Sequence, residues 1–149
     1  MFTELTGLSA HEVIKRLGLQ PLADEGGFWK AGPRTPNLNS ITYLMTPEGF
    51  SALHVLTVAE GWQWLAGAAC QMLQLRPDGT YVSLELGPAW PATVVAPGVW
   101  QGSRTTGDWT LVSCWCAPAF TDECFTLGGR DALTAVYPEA APLIEELTR

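Results

Sequence analysis

The spacing of apolar positions changes twice along the chain. Between Ser9 and Gly18 the apolar residues Val13, Ile14 and Leu17 fall on one stripe at helical spacing. The flanks carry helix punctuation: Ser9 and Glu12 form a capping box, Leu8 is placed to staple onto Val13, and Gly18 ends the segment. Gly26-Gly27 and the stretch from Pro33 to Pro36 then read as turns. From Phe28 to about Leu127 the text becomes that of strands. Short runs rich in Val, Ile, Thr, Tyr and Trp alternate with the turn signals Thr46-Pro47-Glu48-Gly49, Pro77-Asp78-Gly79, Gly87-Pro88, Pro97-Gly98 and Gly107-Asp108. They predict about ten strands, near 28–31, 40–45, 50–56, 61–66, 69–75, 80–86, 92–95, 99–104, 109–117 and 123–127. Turn signals roughly 8–12 residues apart are the rhythm of an all-β sandwich or barrel.

Several runs are apolar on both faces. From Trp109 to Ala117 the odd positions hold Trp109, Leu111 and Trp115, and the even ones Val112, Cys114 and Cys116. Such a strand needs a filled interior on one face and a second layer on the other, supplied by helices or by a partner subunit. The tail from Asp131 to Arg149 returns to helical chemistry. Asp131 is expected to cap Ala132 to Val136, Pro138 breaks the chain, and Pro142 opens a final turn carrying Leu143, Ile144 and Leu147. With no internal repeat or low-complexity segment, the 149 residues read as one domain.

Composition narrows the function classes. Hydrophobic residues make up 47% of the chain and charged ones 15%, which excludes polar, highly charged disorder. The net charge of −7, with no basic run, argues against nucleic acid or an anionic membrane as partner. No apolar stretch approaches the ~20 residues of a membrane span and the N-terminus carries no signal pattern, so a soluble cytoplasmic protein is expected. Cys70, Cys114, Cys116 and Cys124 contain no Cys-x-x-Cys pair and only two histidines exist, which speaks against a structural zinc site. The thiols are expected as unpaired, small core hydrophobes.

Candidate chemistry centres on His54, which sits in a strand, and on Glu60 six positions later. Joined by a strand end and a turn, the two can converge from adjacent strands. They then offer a base oriented by a carboxylate, two metal ligands, or a core imidazole satisfied by its neighbour. Seven tryptophans are the second signal. Trp62 and Trp64 share a strand face with Glu60, Gln63 lies between them, and Trp100 adjoins Gln101. Aromatics in a barrel are either plain core or, as a set beside His54 and Glu60, the walls of a pocket for a flat or hydrophobic ligand. Tyr43 and Tyr81 are candidate proton donors in such a pocket. His11, in the first turn of the helix, is expected to be solvated.

These spacings resemble the two motifs of the cupin superfamily. The first has Gly, then His-x-His, then Glu three or four residues on, then Gly after six more. The second ends in Pro-x-Gly-x-x-His, whose counterpart is Ala96-Pro97-Gly98-Val99-Trp100-Gln101. A more specific resemblance is to the cupin_5 (DUF985) group. It is carried by Glu25-Gly26-Gly27-Phe28, Ser40-Ile41-Thr42-Tyr43-Leu44, Phe50-Ser51-Ala52-Leu53-His54 and Glu60-Gly61-Trp62-Gln63-Trp64. It continues through Pro97-Gly98-Val99-Trp100-Gln101, Leu111-Val112-Ser113-Cys114 and Tyr137-Pro138-Glu139-Ala140-Ala141, in order across about residues 9–148. The resemblance implies a double-stranded β-helix, the RmlC-like jelly-roll barrel of small cupins, in chains that are often dimeric.

Departures from the motifs shape the functional expectation. His54 takes the place of the first motif histidine, but Leu56 stands at the second and Gln101 where the second motif has its histidine. Where cupin_5 relatives read Glu-x-Trp-His, this chain has Glu60-Gly61-Trp62-Gln63. The family's three-histidine-plus-glutamate metal site therefore cannot be assembled. His54, Glu60 and Gln101 retain at most a weak metal site, and no cofactor is expected. Sugar epimerases of the same fold work without metal. The expected function is thus a metal-independent isomerase, epimerase or cyclase acting on an apolar or aromatic metabolite. His54, Glu60 and Tyr43 would move protons, and Glu25, Trp62, Gln63, Trp64, Trp100 and Gln101 would bind substrate. The alternative is a non-catalytic ligand-binding or sensing module; a metal-dependent oxygenase fits least. A homodimer covering the outer face of strands such as 109–117 is expected, and neither nucleic acid nor membrane.

Overall fold

The computed structural model of the chain describes residues 2–149. Helix α1 spans Ala10–Leu17 and is closed by Gly18 in the left-handed region at φ 67°. Its capping box forms as the sequence predicts: Glu12 N donates to Ser9 Oγ at 3.3 Å and Ser9 N to Glu12 Oε2 at 2.8 Å. The strands are β1 (Gln20–Pro21), β2 (Phe28–Thr35), β3 (Leu38–Met45), β4 (Ser51–Leu56), β5 (Ala59–Gly67), β6 (Cys70–Leu75), β7 (Tyr81–Leu86), β8 (Ala92–Val95), β9 (Trp100–Thr105), β10 (Thr110–Ala117) and β11 (Phe125–Leu127).

They form two antiparallel sheets, ordered β1-β2-β3-β10-β5-β8 and β11-β4-β9-β6-β7. From β3 onward each strand crosses to the other sheet, the β6–β7 hairpin excepted. That winding is the expected double-stranded β-helix.

Two local expectations need correction. The stretch from Pro33 to Thr35 belongs to β2, and the turn is confined to Pro36 and Asn37. Proline is tolerated there because β1 pairs only with Phe28 and Trp29, and the ladder to β3 is irregular between Ala31 and Arg34. At the C-terminal end, helix α2 (Arg130–Val136) has Gly129 at its N-cap, so Asp131 lies inside the first turn and makes no side-chain cap. Pro138 opens a short 3-10 turn, and Pro142 stands in the first turn of helix α3 (Ala141–Glu146), as expected.

Strands apolar on both faces are explained by three layers. Between the sheets lie Tyr43, Met45, Trp62, Met72, Val112 and Cys114. Outside the β10 sheet, Leu44, Leu111 and Trp109 pack under Leu5 and Val13 of the N-terminal segment. Outside the β4 sheet, Leu53, Leu73 and Leu75 pack under Leu133, Ile144 and Leu147 of the C-terminal helices. Full burial of each such leucine stabilises the fold by about 1.5–3 kcal/mol. The second layer on Trp109 and Leu111 is therefore the chain's own helix. The expected dimer contact on this strand rests only on its later part, where Ser113, Trp115 and Ala117 are half-buried.

Candidate functional site

β4 and β5 are consecutive in the chain yet lie in facing sheets. His54 and Glu60 therefore meet across the barrel interior, not from adjacent strands as their spacing suggested. Gln101 on β9 is the ladder partner of His54, and Trp62 on β5 faces it from the other sheet. Trp62 Nε1 donates to Gln101 Oε1 at 2.9 Å, and Gln101 Nε2 donates to Glu60 Oε2 at 2.8 Å. Since an indole N–H can only donate, Trp62 fixes the amide's orientation: Gln101 must present its NH₂ to Glu60.

His54 is only 2% exposed. Its Nδ1 lies 2.8 Å from the carbonyl oxygen of Ala52, an acceptor, so Nδ1 carries a hydrogen. Nε2 faces two carboxylates, with Glu60 Oε2 at 3.8 Å and Glu25 Oε1 at 3.9 Å. Both are beyond hydrogen-bond length. Burial alone would push the imidazole's pKa down, but the charges of Glu25 and Glu60 more than reverse this and carry it to about 9. At neutral pH His54 is an imidazolium between two carboxylates. Its ring stacks on Phe125, with centroids 5.2 Å apart.

Glu25 comes from a tight turn before β2, where Asp24, Gly26 and Gly27 have φ of 65°, 95° and 75°. The Glu-Gly-Gly order has a steric reason: a Cβ on Gly27 would stand 2.5 Å from the Tyr43 hydroxyl. Tyr43 donates to the Gly26 carbonyl at 2.7 Å, Ala52 N donates to the Glu25 carbonyl at 2.9 Å, and Arg149 Nη1 donates to the same oxygen at 2.8 Å. The Glu25 side chain accepts from Ser51 Oγ at 2.7 Å. Ser51 and His54, three positions apart, both reach Glu25 because the β4–β9 ladder is irregular between them. Burial raises the Glu25 carboxyl's pKa; His54 opposes the shift and the Glu60 charge reinforces it.

The three groups line a cavity of about 880 Å³. Its walls include Trp29, Ile41, Leu56, Phe120 and Phe125, with Cys114 and Cys116 beside Glu60's strand. Burial pushes the Cys114 thiol well up and that of Cys116 to about 12, so both remain protonated. The mouth carries Asp24, Arg34, Asp122 and Glu123. Phe120 tethers this rim to the β2–β3 hairpin, its carbonyl accepting from Arg34 Nη2 and its N–H donating to Asn39 Oδ1, both at 2.7 Å.

Of the residues singled out in the sequence, His54, Glu60 and Glu25 line the cavity, and Gln101 and Trp62 stand directly behind Glu60. Tyr43 lies behind the Glu25 turn with its proton engaged by Gly26, and burial raises its pKa well above the usual tyrosine value. Three others lie elsewhere. Trp100 packs under the C-terminal helices. Trp64 lines a separate hollow with Leu8 and Trp109, and its Nε1 donates to the Ala68 carbonyl at 3.1 Å. Gln63 is half-buried in the sheet between Ser113 and Ala92. Tyr81 and His11 are exposed. Sequence reasoning missed Ser51, Trp29, Phe120 and Phe125 as parts of the site. Ser51 precedes the His54 run directly, but Phe120 and Phe125 sit beyond β10 with no periodicity to flag them.

These donors do not fit a cupin-type metal. Gln101 spends its oxygen on Trp62 and turns a donor inward, Leu56 replaces an imidazole, and the single imidazole holds a proton that a cation would have to displace. Among the described residues, no group of three or more His, Cys, Asp or Glu is placed to hold a metal ion. Nor is any helix among them long and apolar enough to cross a membrane.

The family described as Cupin_5: Cupin superfamily (DUF985) matches residues 11–128. A protein from Shewanella oneidensis of known crystal structure is 30% identical, with 95% of this chain and 98% of that one covered and a TM-score of 0.88. A hypothetical protein from Leishmania major is 25% identical, with 95% and 99% covered and a TM-score of 0.85. Oxalate decarboxylase from Bacillus subtilis is 12% identical, with 87% of this chain and 37% of that one covered and a TM-score of 0.62, a likeness of fold alone. No curated protein sequence matches the chain.

Proposed function

Because the chain belongs to the Cupin_5 (DUF985) group of the cupin superfamily, we propose that its barrel is a small-molecule site performing metal-free proton transfer, as an isomerase, epimerase or cyclase does. One observation carries this reading. Among the described residues His54 Nε2 has no hydrogen-bond partner; it opens into the cavity and sits between two carboxylates at 3.8 and 3.9 Å. A ligand carbonyl or hydroxyl oxygen at that position accepts a hydrogen bond from the imidazolium. Where that oxygen is a carbonyl, Glu25, a carboxylate with a raised pKa, is the base that takes a proton from the carbon α to the carbonyl, and the electron pair passes onto the oxygen as an enolate. The developing oxyanion is held by Nε2–H, and returning the proton to another atom or the other face gives the isomer. Glu60, fixed by the Gln101 amide, keeps the imidazole charged. Nothing is oxidised or reduced in this sequence.

The same closed set of charges also suits a pocket that binds without converting, and deuterium separates the two readings. A melting-shift screen of metabolites in D₂O buffer first finds a ligand. The enzyme reading expects the recovered ligand to carry deuterium on the carbon α to a carbonyl, and His54→Ala to abolish the exchange. A ligand that binds tightly and returns undeuterated after prolonged incubation makes the protein a binding module.

We also propose that the site works without a resident metal, because its donor set holds one protonated imidazole and an amide turned the wrong way. Elemental analysis after purification without chelator is expected to find far less than one transition-metal ion per chain. A near-stoichiometric content of iron, manganese, nickel or zinc would overturn this.

A further inference from the structure

We propose that the cavity selects an organic cation: an apolar or aromatic body bearing a protonated amine, with a neutral oxygen turned towards His54. The inference rests on the small-molecule reading above and adds the charge of the ligand. Five carboxylates line the cavity (Asp24, Glu25, Glu60, Asp122 and Glu123) against two cationic side chains, Arg34 and His54. His54 already lies between Glu25 and Glu60, and Arg34 at the mouth gives one N–H to the Phe120 carbonyl at 2.7 Å, so the acids of the lining outnumber its cations. Asp24, Asp122 and Glu123 are exposed at the mouth, and none of them forms an ion pair among the described residues.

A second, independent feature points inward to a ligand. His54 is 2% exposed, its Nε2 faces the cavity, and among the described residues no acceptor stands within hydrogen-bond distance of that atom. A ligand thus meets a neutral-oxygen position at the base, apolar and aromatic walls at Trp29, Phe120 and Phe125, and a surplus of negative charge at the mouth. Aromatic faces stabilise ammonium groups, and low-dielectric walls strengthen the field of the acids inside the cleft. A carboxylate or phosphate would enter against the field of five acids and lose its hydration, with the buried cation His54 already held between Glu25 and Glu60.

Three phenols of matched shape isolate the charge: tyramine, 4-ethylphenol and 4-hydroxyphenylacetate, which are cationic, neutral and anionic at pH 7. Calorimetry at low ionic strength is expected to rank them in that order, with about tenfold or more between neighbours, since surface-charge effects of this kind reach that size when salt is low. The double variant Asp122→Asn/Glu123→Gln changes only exposed rim residues. It is expected to shrink the tyramine advantage to about threefold or less while leaving 4-ethylphenol unchanged. Trp29→Ala is expected to weaken all three and so locates them in this cavity. The anion binding as tightly as tyramine, or a tyramine advantage untouched by the double variant, overturns the proposal. If 4-ethylphenol binds as well as tyramine, the cation assignment falls and the small-molecule pocket stands. If none of the three binds at millimolar concentration, or Trp29→Ala leaves their binding intact, the proposal falls together with the view of this cavity as an apolar pocket.

Discussion

His54→Ala is expected to lower turnover by about 10²–10⁴-fold, the usual weight of a positioned acid or base. The same change leaves Glu25 and Glu60 facing each other without a cation, so a proton or water must enter and the melting temperature falls as well. Glu25→Gln separates the two effects. It keeps the shape and the contact with Ser51 yet removes the base, and its turnover falls while the fold is retained. Glu60→Gln acts through His54. Gln101 can offer only its NH₂ at this point, so a glutamine at 60 gives its oxygen to Gln101 and turns its own NH₂ towards the imidazole. That change removes one charge holding His54 protonated, so the alkaline limb of the pH–rate profile, near 9 in the parent, moves to lower pH. A merely structural Glu60 would leave that limb in place. Parental turnover in His54→Ala would end the acid–base assignment.

Stability is expected to fall as the pH rises from about 6.5 through 9. His54 has a folded-state pKa of about 9 against 6.5 for a free imidazole. The folded chain therefore holds this proton more tightly, and the resulting stabilisation is complete below pH 6.5 and lost as pH passes 9. At one pKa unit per ~1.4 kcal/mol, the loss is on the order of 3 kcal/mol. For a domain of this size it corresponds to a melting temperature lower by about 6–12 °C. Glu25 works in the same direction. Its carboxyl is raised in the fold, so the fold is favoured while it is protonated and loses that advantage as pH climbs through the raised value. Melting curves of the parent and of His54→Gln across pH 6–10 check this. A parent slope no steeper than that of His54→Gln would show that His54 is not protonated in the fold.

The secondary structure was legible where its causes are local. The capping box of α1, the Gly18 stop and most strand positions follow from turn chemistry and alternation within a few residues. The errors fell where tertiary context overrides a local rule. Pro33 is tolerated in β2 because β1 leaves that part of the strand unpaired. Asp131, one residue past the true N-cap, has no capping role because α2 begins at Arg130. The two-faced apolar strands announced a second layer, but only the packed chain decided that helices at both ends supply it.

The site divides in the same way. By itself the sequence determined the chemistry on offer: one imidazole in the strands, a glutamate six residues on, leucine and glutamine where a metal site needs histidines, and an excess of acid. The tertiary structure decided what meets what. Ser51 and Glu25 are 26 positions apart, Trp62 and Gln101 39, and Gln101 and Glu60 41, yet they form two hydrogen-bonded chains whose carboxylates meet at His54. Trp64 and Trp100, close in sequence to those residues, pack in other clusters. The physical reason is the range of the forces that specify each level. Alternation and turn residues act through the backbone of a few neighbours, whereas contacts in a jelly roll depend on which strands face each other across two sheets. A ladder irregularity such as that between Ser51 and His54 redirects side chains in a way that alternation alone does not reveal.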